Sequence, residues 1–99
     1  MLCLVHMQVA IPHDLDPAAA ALIAEGRAYS QELQRDGRWR HFWRVVGQYA
    51  NYSIFDADGN DELHPMLSAL PLYPYITLEV TPLAQHPCAG IELRPLCPI

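Results

Sequence analysis

The sequence predicts an α+β domain in which strands and helices follow the order β-α-β-β-α-β. Three observations carry this prediction: apolar, β-branched runs bounded by proline or glycine, a long alanine-rich stretch, and a second, shorter stretch with helical spacing. The chain has 99 residues, the size of one domain. Its 52% hydrophobic content excludes a disordered chain, because such chains have low hydrophobicity and high charge.

Residues that typically begin or end strands and helices identify the first strand and the first helix. Residues 2–11 form an apolar, β-branched run that a proline closes, which is typical of a strand. Asp16 and Pro17 predict a helix start, because aspartate caps free N–H groups and proline fits the first helical position. The helix is predicted to run to about Asp36, where Gly37 is its natural stop.

The second half of the chain predicts a hairpin, a short helix and a last strand. Residues 39–46 and 50–55 are strand-like runs joined by a glycine-containing turn. The apolar residues of segment 63–70 follow helical spacing, and Pro65 fits that helix only in its first turn. Residues 75–81 then predict the fourth strand, because they are rich in β-branched side chains.

This order of elements is the ferredoxin-like plan, a four-stranded antiparallel sheet with both helices on one face. Residues 1–81 are predicted to form this domain. Residues 82–99 are rich in proline and predict an arm that lies on the same domain or on a neighbouring subunit. Because only 17% of the residues are charged, we expect a second copy of the chain to cover the other face of the sheet.

Composition also excludes several classes of partner. The net charge of −5 opposes binding to nucleic acid or to an anionic membrane surface. No apolar run approaches the roughly 20 residues of a membrane span. The five histidines lack the spacing of a metal site. The start of the chain has no signal-peptide pattern and there are only three cysteines, so we expect a reduced, cytoplasmic protein; a Cys88–Cys97 bridge stays open.

Segment 38–56 carries a specific resemblance. It contains the strings W-R-H-x-W-R and Y-A-N-x-S, and Asp14-Leu15-Asp16-Pro17, segment 70–75 and His86-Pro87 agree with it. Over roughly residues 1–88 the chain resembles the muconolactone Δ-isomerase family. The resemblance implies the ferredoxin-like fold, ring-shaped homo-oligomers that are typically decamers built from dimers, and catalysis without a cofactor.

The resemblance implies a proton shift within a small unsaturated lactone acid. A base removes the proton from the ring carbon that bears the carboxymethyl arm, and reprotonation of the dienolate two carbons away gives the 3-oxoadipate enol-lactone. This reaction needs a base, donors that face the developing oxyanion, and a cation for the carboxylate. Two alternatives stay open: a related enzyme that dehalogenates or decarboxylates another lactone acid, and an inactive oligomeric homologue that binds a small ligand.

Three residues are candidates for acid–base catalysis. The resemblance implies an acidic and then a basic residue in the middle of the first helix, where this chain has Glu25, Gly26 and Arg27. Glu25 is either the general base or a solvated helix carboxylate. His41, between two tryptophans, and His6, in the middle of a strand, are either catalytic histidines or interface and core residues. Gly26 is unfavourable inside a helix, so we expect it to leave space for something.

The predicted substrate-binding residues lie on the first helix and on the hairpin. Strict alternation along the second strand places Arg40 and Arg44 on one face and Trp39, His41 and Trp43 on the other. Two arginines suit a small carboxylate, although ion pairs with a neighbouring subunit are an equally simple reason for them. The predicted binding residues are Arg27, Trp39, Arg40, Arg44, Tyr49, Asn51 and Ser53.

Overall fold

The structure is a computed structural model that describes residues 1–11 and 16–89. Its elements are β1 (Leu2–Val9), α1 (Asp16–Arg35), β2 (Trp39–Arg44), β3 (Ala50–Asp56), α2 (Asn60–Ser68), a 3-10 turn (Tyr73–Tyr75) and β4 (Ile76–Leu83). The strands pair in the order β2-β3-β1-β4, and every pairing is antiparallel. The predicted order of elements and the four-stranded antiparallel sheet are confirmed.

Gly37 ends α1, as the sequence predicts. Its φ of 77° lies in the left-handed region, which glycine adopts without strain. The Gly37 N–H donates to the Gln34 carbonyl at 3.2 Å, and the Arg38 N–H donates to the Leu33 carbonyl at 3.0 Å. These two bonds form a Schellman motif, which satisfies the last carbonyls of α1 and turns the chain into β2.

The hydrophobic core lies between the helices and one face of the sheet. Along β1, alternate side chains point into this core, and Cys3 and Val5 are completely buried. Phe55 of β3 is also completely buried. The buried cluster is completed by Met7, Leu33, Trp39, Ala57, Leu63, Met66, Leu67 and Leu70.

A β-bulge in β2 overturns the predicted alternation of its side chains. Trp39 pairs with Phe55 and His41 pairs with Ile54, so two residues of β2 advance against one of β3, and Arg40 is the extra residue. After the bulge, Trp39 lies on the same face as Phe42, whose ring stacks on the indole at 4.4 Å. The predicted grouping of Trp39 with His41 and Trp43 is therefore wrong, because strict alternation assumes a strand with no inserted residue.

Two predicted positions along the second half of the chain also need correction. Helix α2 begins at Asn60, because the Gly59 carbonyl accepts the Glu62 and Leu63 N–H groups, so Pro65 lies inside the helix and not in its first turn. Strand β4 continues through Pro82 to Leu83, beyond the predicted boundary at residue 81. An edge strand tolerates this proline, because one side of its backbone has no neighbouring strand. Residues 90–99 of the predicted arm lie outside the described residues.

The other face of the sheet, which we call the open face, includes Glu79 and Thr81 of β4 and the side chains of Leu4, His6, His41, Trp43, Tyr52 and Ile54. The His6 and Tyr52 rings lie 4.7 Å apart, and the His41 and Trp43 rings stack in parallel at 5.2 Å. Trp43 is 55% exposed. Neither described helix covers this face, which leaves a broad aromatic surface.

The structure bears on two expectations from the sequence, that the cysteines are reduced and that the chain has no membrane span. Cys88 is disulfide-bonded, so the expectation of reduced cysteines is wrong at this position, while Cys97 lies outside the described residues. Cys3 is a free, buried thiol, and burial raises its pKa. Neither α1 nor α2, the helices of the described part, is both long and apolar enough to span a bilayer.

Tyr29 connects α1 and α2 through a hydrogen bond, and its environment leads us to expect a loss of stability at alkaline pH. Its O–H donates to the Met66 carbonyl at 2.6 Å. Burial raises the pKa of the Tyr29 phenol, and the neighbouring Glu32 carboxylate raises it further. A raised pKa means that the folded state holds this proton more tightly, so the stabilisation is full below the ordinary value of about 10. This stabilisation is lost as the pH rises through the raised pKa of Tyr29 in the folded state.

We therefore expect the urea midpoint of the wild type to fall more steeply above about pH 10 than that of Tyr29→Phe. At pH 7 the variant should lose about 1 kcal/mol, the net contribution of one hydrogen bond. Tyr73→Phe is the control, because Tyr73 is 40% exposed. Equal pH slopes for the wild type and Tyr29→Phe, at one protein concentration, would contradict this account.

Candidate active site

A cavity of about 270 Å³ lies between α1, the inner face of the sheet and the segment that follows α2. Helix α1 contributes Ile23, Gly26, Arg27 and Ser30, and this spacing places all four on one helix face. The sheet contributes residues of β1, β2 and β3, and residues 70–72 close one side. The wall is mainly apolar, with a small number of polar groups, as in most small-molecule sites.

Two arginines in the cavity wall have no carboxylate partner among residues 1–11 and 16–89. They are Arg27 of α1 and Arg44 of β2. By contrast, Arg38 pairs with Glu62 and Arg40 pairs with Asp56, each at 3.6 Å. Two unpaired guanidinium groups in one cavity give it a positive potential and suit a small carboxylate, because each presents several donors in a fixed plane.

Neutral donors lie beside these arginines. The Ser53 hydroxyl donates to the Asn51 amide oxygen at 2.8 Å, so the amide NH₂ of Asn51 is the group left to face a ligand. The Arg44 guanidinium lies over the Tyr49 ring at 5.2 Å, and this cation–π contact holds both side chains at the cavity. Ser53 itself is completely buried behind Asn51 and does not line the cavity.

Trp39 brings an unsatisfied donor to the same wall. Its side chain is packed between Phe42 and Phe55, at 4.4 and 4.7 Å between ring centroids. The indole Nε1–H is buried and has no hydrogen-bond acceptor in the described part of the chain. A buried N–H without an acceptor is costly, so its presence in the wall of a cavity favours a ligand that supplies an oxygen atom.

The three predicted acid–base residues do not line this cavity. His6 and His41 belong to the open face, on the opposite side of the sheet. Glu25 is exposed on α1 and immediately precedes two cavity-lining positions, Gly26 and Arg27. No ion pair or hydrogen bond of the Glu25 side chain occurs within the described ranges, so nothing there holds it away from the cavity.

The structure thus brings together five of the predicted residues and leaves five apart. Arg27, Trp39, Arg44, Tyr49 and Asn51 line the cavity, whereas Glu25, His6, His41, Arg40 and Ser53 do not. Ser30 and Phe42 line the cavity and were not among the predicted binding residues. Helical spacing from Arg27 would have found Ser30, and alternation from Arg44 would have found Phe42, whereas Trp39 joins their face only through the bulge. No group of three or more metal-ligating side chains occurs in segments 1–11 and 16–89.

Comparison with known proteins agrees with this geometry. The family described as muconolactone delta-isomerase matches residues 1–89. The chain belongs to the muconolactone Δ-isomerase family. The muconolactone Δ-isomerase of Cupriavidus pinatubonensis is 57% identical over an alignment of 89 residues, and the match covers 88% of this chain and 96% of that protein. The muconolactone Δ-isomerase of Rhodococcus opacus is also 57% identical, over 83% of this chain and 89% of that protein.

Solved structures agree with the muconolactone Δ-isomerase fold. A crystal structure of muconolactone isomerase superposes with a TM-score of 0.86 and 48% identity, covering 94% of this chain and 97% of that chain. A 5-chloro-2-hydroxyhydroquinone dehydrochlorinase from Burkholderia phenoliruptrix, in complex with 2,5-dihydroxybenzoquinone, has a TM-score of 0.66 at 18% identity. It covers 85% of this chain and 94% of that chain, and at this identity the likeness concerns the fold alone. The predicted resemblance to the isomerase family is confirmed.

Proposed function

We propose that the protein is a muconolactone Δ-isomerase that converts muconolactone to the 3-oxoadipate enol-lactone without a cofactor. The observation that carries this proposal is that Arg27 and Arg44, which have no carboxylate partner in the described part of the chain, lie in one mainly apolar cavity of a chain from this family. An unsaturated lactone acid has the matching chemistry: one carboxylate on a small, otherwise uncharged ring. The predicted cytoplasmic location belongs to this proposal, and cell fractionation tests it.

The two arginines would bind the carboxymethyl arm. Arg27 belongs to α1 and Arg44 to β2, so their guanidinium groups can bind one carboxylate from two sides. Because the wall around them is largely apolar, their hydrogen bonds to the carboxylate compete with less water than on an open surface. This fixes the arm and leaves the ring against the aromatic and aliphatic side chains.

Neutral donors would stabilise the dienolate. Removal of the ring proton moves negative charge onto the lactone carbonyl oxygen, and donors that face this oxygen lower the barrier. Trp39 offers an indole N–H with no acceptor of its own, and Asn51 offers the NH₂ of an amide oriented by Ser53. Tyr49 adds a hydroxyl at the mouth of the cavity.

Glu25 is the base that we propose. It stands next to Gly26, which has no side chain to obstruct it, and its own side chain is exposed and unpaired within the described residues. Its carboxylate takes the proton from the ring carbon that bears the arm. The electron pair spreads over the diene and the carbonyl oxygen, and the resulting carboxylic acid returns the proton two carbons away, so that no atom is gained or lost.

The experiment is an ultraviolet assay of the purified, assembled protein with muconolactone. Isomerisation moves the ring double bond out of conjugation with the lactone carbonyl, so the absorbance changes as the reaction proceeds. A double variant, Arg27→Ala with Arg44→Ala, is the control for background reaction. No absorbance change with the wild type, at a native oligomer size, would contradict the proposed function and leave the two alternatives, a related enzyme for another lactone acid and an inactive homologue.

The open face supports a homo-oligomer, for which the decamer built from dimers is the predicted size. Trp43 is 55% exposed and lies on the edge strand β2, where its ring stacks on that of His41. Buried tryptophans are common anchors of interfaces. We therefore expect Trp43→Glu to lower the molar mass in light scattering after size-exclusion chromatography. Val46→Glu is the control, because Val46 is 95% exposed in the hairpin turn. An unchanged mass for Trp43→Glu would exclude this face as the interface.

A further inference from the structure

Gly26 is an anomaly in the middle of α1. Apart from proline, glycine is the residue least favourable to a helix interior. This glycine is not at a helix end, since α1 extends from Asp16 to Arg35. It belongs to the helix face that lines the cavity, between Ile23 and Ser30.

The usual structural reasons for a glycine are absent at this position. Among the described glycines, only Gly37 and Gly47 have a positive φ, so the backbone of Gly26 suits any residue. A Cβ atom added at Gly26 would meet no atom of the described residues within 4 Å, so no element of that part of the chain requires the missing side chain. The missing side chain thus creates free space in the cavity wall, and it has no role in the fold of the described residues.

The cavity wall around this space is mainly apolar, although Ser30 lies one helix turn after Gly26. Ile23 lies one helix turn before Gly26, and Leu70, Leu72 and Ile76 belong to the same cavity lining. A polar or charged group of a ligand would be desolvated against such a wall, whereas a methyl group would gain from burial. The space therefore suits a small apolar substituent.

We propose that Gly26 is a specificity-determining position, which opens the cavity to muconolactones that carry one small apolar substituent on the ring, of the size of a methyl group. This inference rests on the proposed function, because it takes the lactone acid as the ligand of the cavity. Bound by its carboxylate at Arg27 and Arg44, such a lactone would place the substituent in the space beside Gly26. The reaction on it is the same proton shift.

The test compares three substrates in the wild type and in Gly26→Ala: muconolactone, 2-methylmuconolactone and 3-methylmuconolactone. In the wild type, kcat/KM for at least one methylated lactone should lie within about tenfold of that for muconolactone. Gly26→Ala should lower the ratio of kcat/KM for that lactone to kcat/KM for muconolactone at least tenfold, which is the usual effect of one methylene in an apolar pocket. The variant should also raise Tm by about 4–8 °C, because alanine favours the helix.

Ala28→Val is the matched control, because it adds bulk to an exposed position of the same helix outside the cavity lining. It should leave the ratio between the two substrates unchanged. A ratio that falls less than tenfold in Gly26→Ala would overturn the inference, as would a wild type that is more than about tenfold slower with both methylated lactones. Absence of turnover of muconolactone itself is a separate result, because it contradicts the proposed function and not the selectivity alone.

Discussion

We expect Glu25→Gln to lower kcat for muconolactone by about 100- to 10,000-fold, the usual contribution of a positioned general base. Glutamine keeps the shape of the side chain and cannot take the ring proton. KM should change little, because the arginines that bind the carboxylate are untouched. Stability should also change little, because Glu25 is exposed and has no partner within the described residues. The same variant should no longer exchange the substrate's ring proton with deuterium from the solvent.

Glu32→Gln is the matched control for this result. Glu32 lies on α1, two turns after Glu25, and faces a different cavity, together with Asp36 and Arg38. Its replacement removes the same charge from the same helix and should leave kcat unchanged. If Glu25→Gln keeps more than a tenth of the wild-type kcat, the proton is moved by another group and Glu25 is not the base.

We expect Arg44→Ala to raise KM for muconolactone by about 10- to 100-fold, because a hydrogen bond between charged groups contributes about 1.5–3 kcal/mol. Arg44 has no carboxylate partner in the described part of the protein, so its removal leaves no buried acid unpaired. Its contact with the Tyr49 ring is also lost, which adds disorder at the mouth of the cavity. Arg44→Lys should recover only part of the affinity, since an ammonium group cannot reproduce the planar pair of donors.

The methyl ester of muconolactone separates binding of the carboxylate from general damage. If Arg44 binds the carboxylate, the ester should bind the wild type weakly. Arg44→Ala should then lower the affinity for the ester by much less than the affinity for the acid. Arg38→Ala is the control, because Arg38 pairs with Glu62 and lines the other cavity. An equal loss for acid and ester in Arg44→Ala would show that Arg44 supports the cavity and does not bind the carboxylate.

Much of the fold could be predicted because its signals are local. Gly37 stops α1 through its own backbone conformation, and the alternation in β1 decides which side chains enter the core. These signals depend on two or three neighbouring residues, which the sequence displays directly. The start of α2 was harder to predict from the sequence, because it depends on the Gly59 carbonyl and not on a side-chain cap.

The candidate site was harder to predict, because it depends on how separate elements meet. The sequence indicated Arg27 and Arg44 as cations, but only the structure distinguishes them from Arg40, which pairs with Asp56. The two histidines looked suitable by residue type, yet the parity of β1 and β2 places both on the open face. Which face a strand residue occupies follows from every residue before it, so one inserted residue was enough to mislead the analysis at Trp39.

The extra residue in β2 has a consequence for how this protein can change in length. If Arg40 were deleted, the side chains of Trp39, Phe42 and Arg44 would still alternate with those of His41 and Trp43, and the same residues would face the interior. A deletion of Phe42 that left the bulge in place would instead exchange the two faces over the rest of the strand. The bulge is thus a place where this strand can lose one residue while its cavity-lining side chains keep their face.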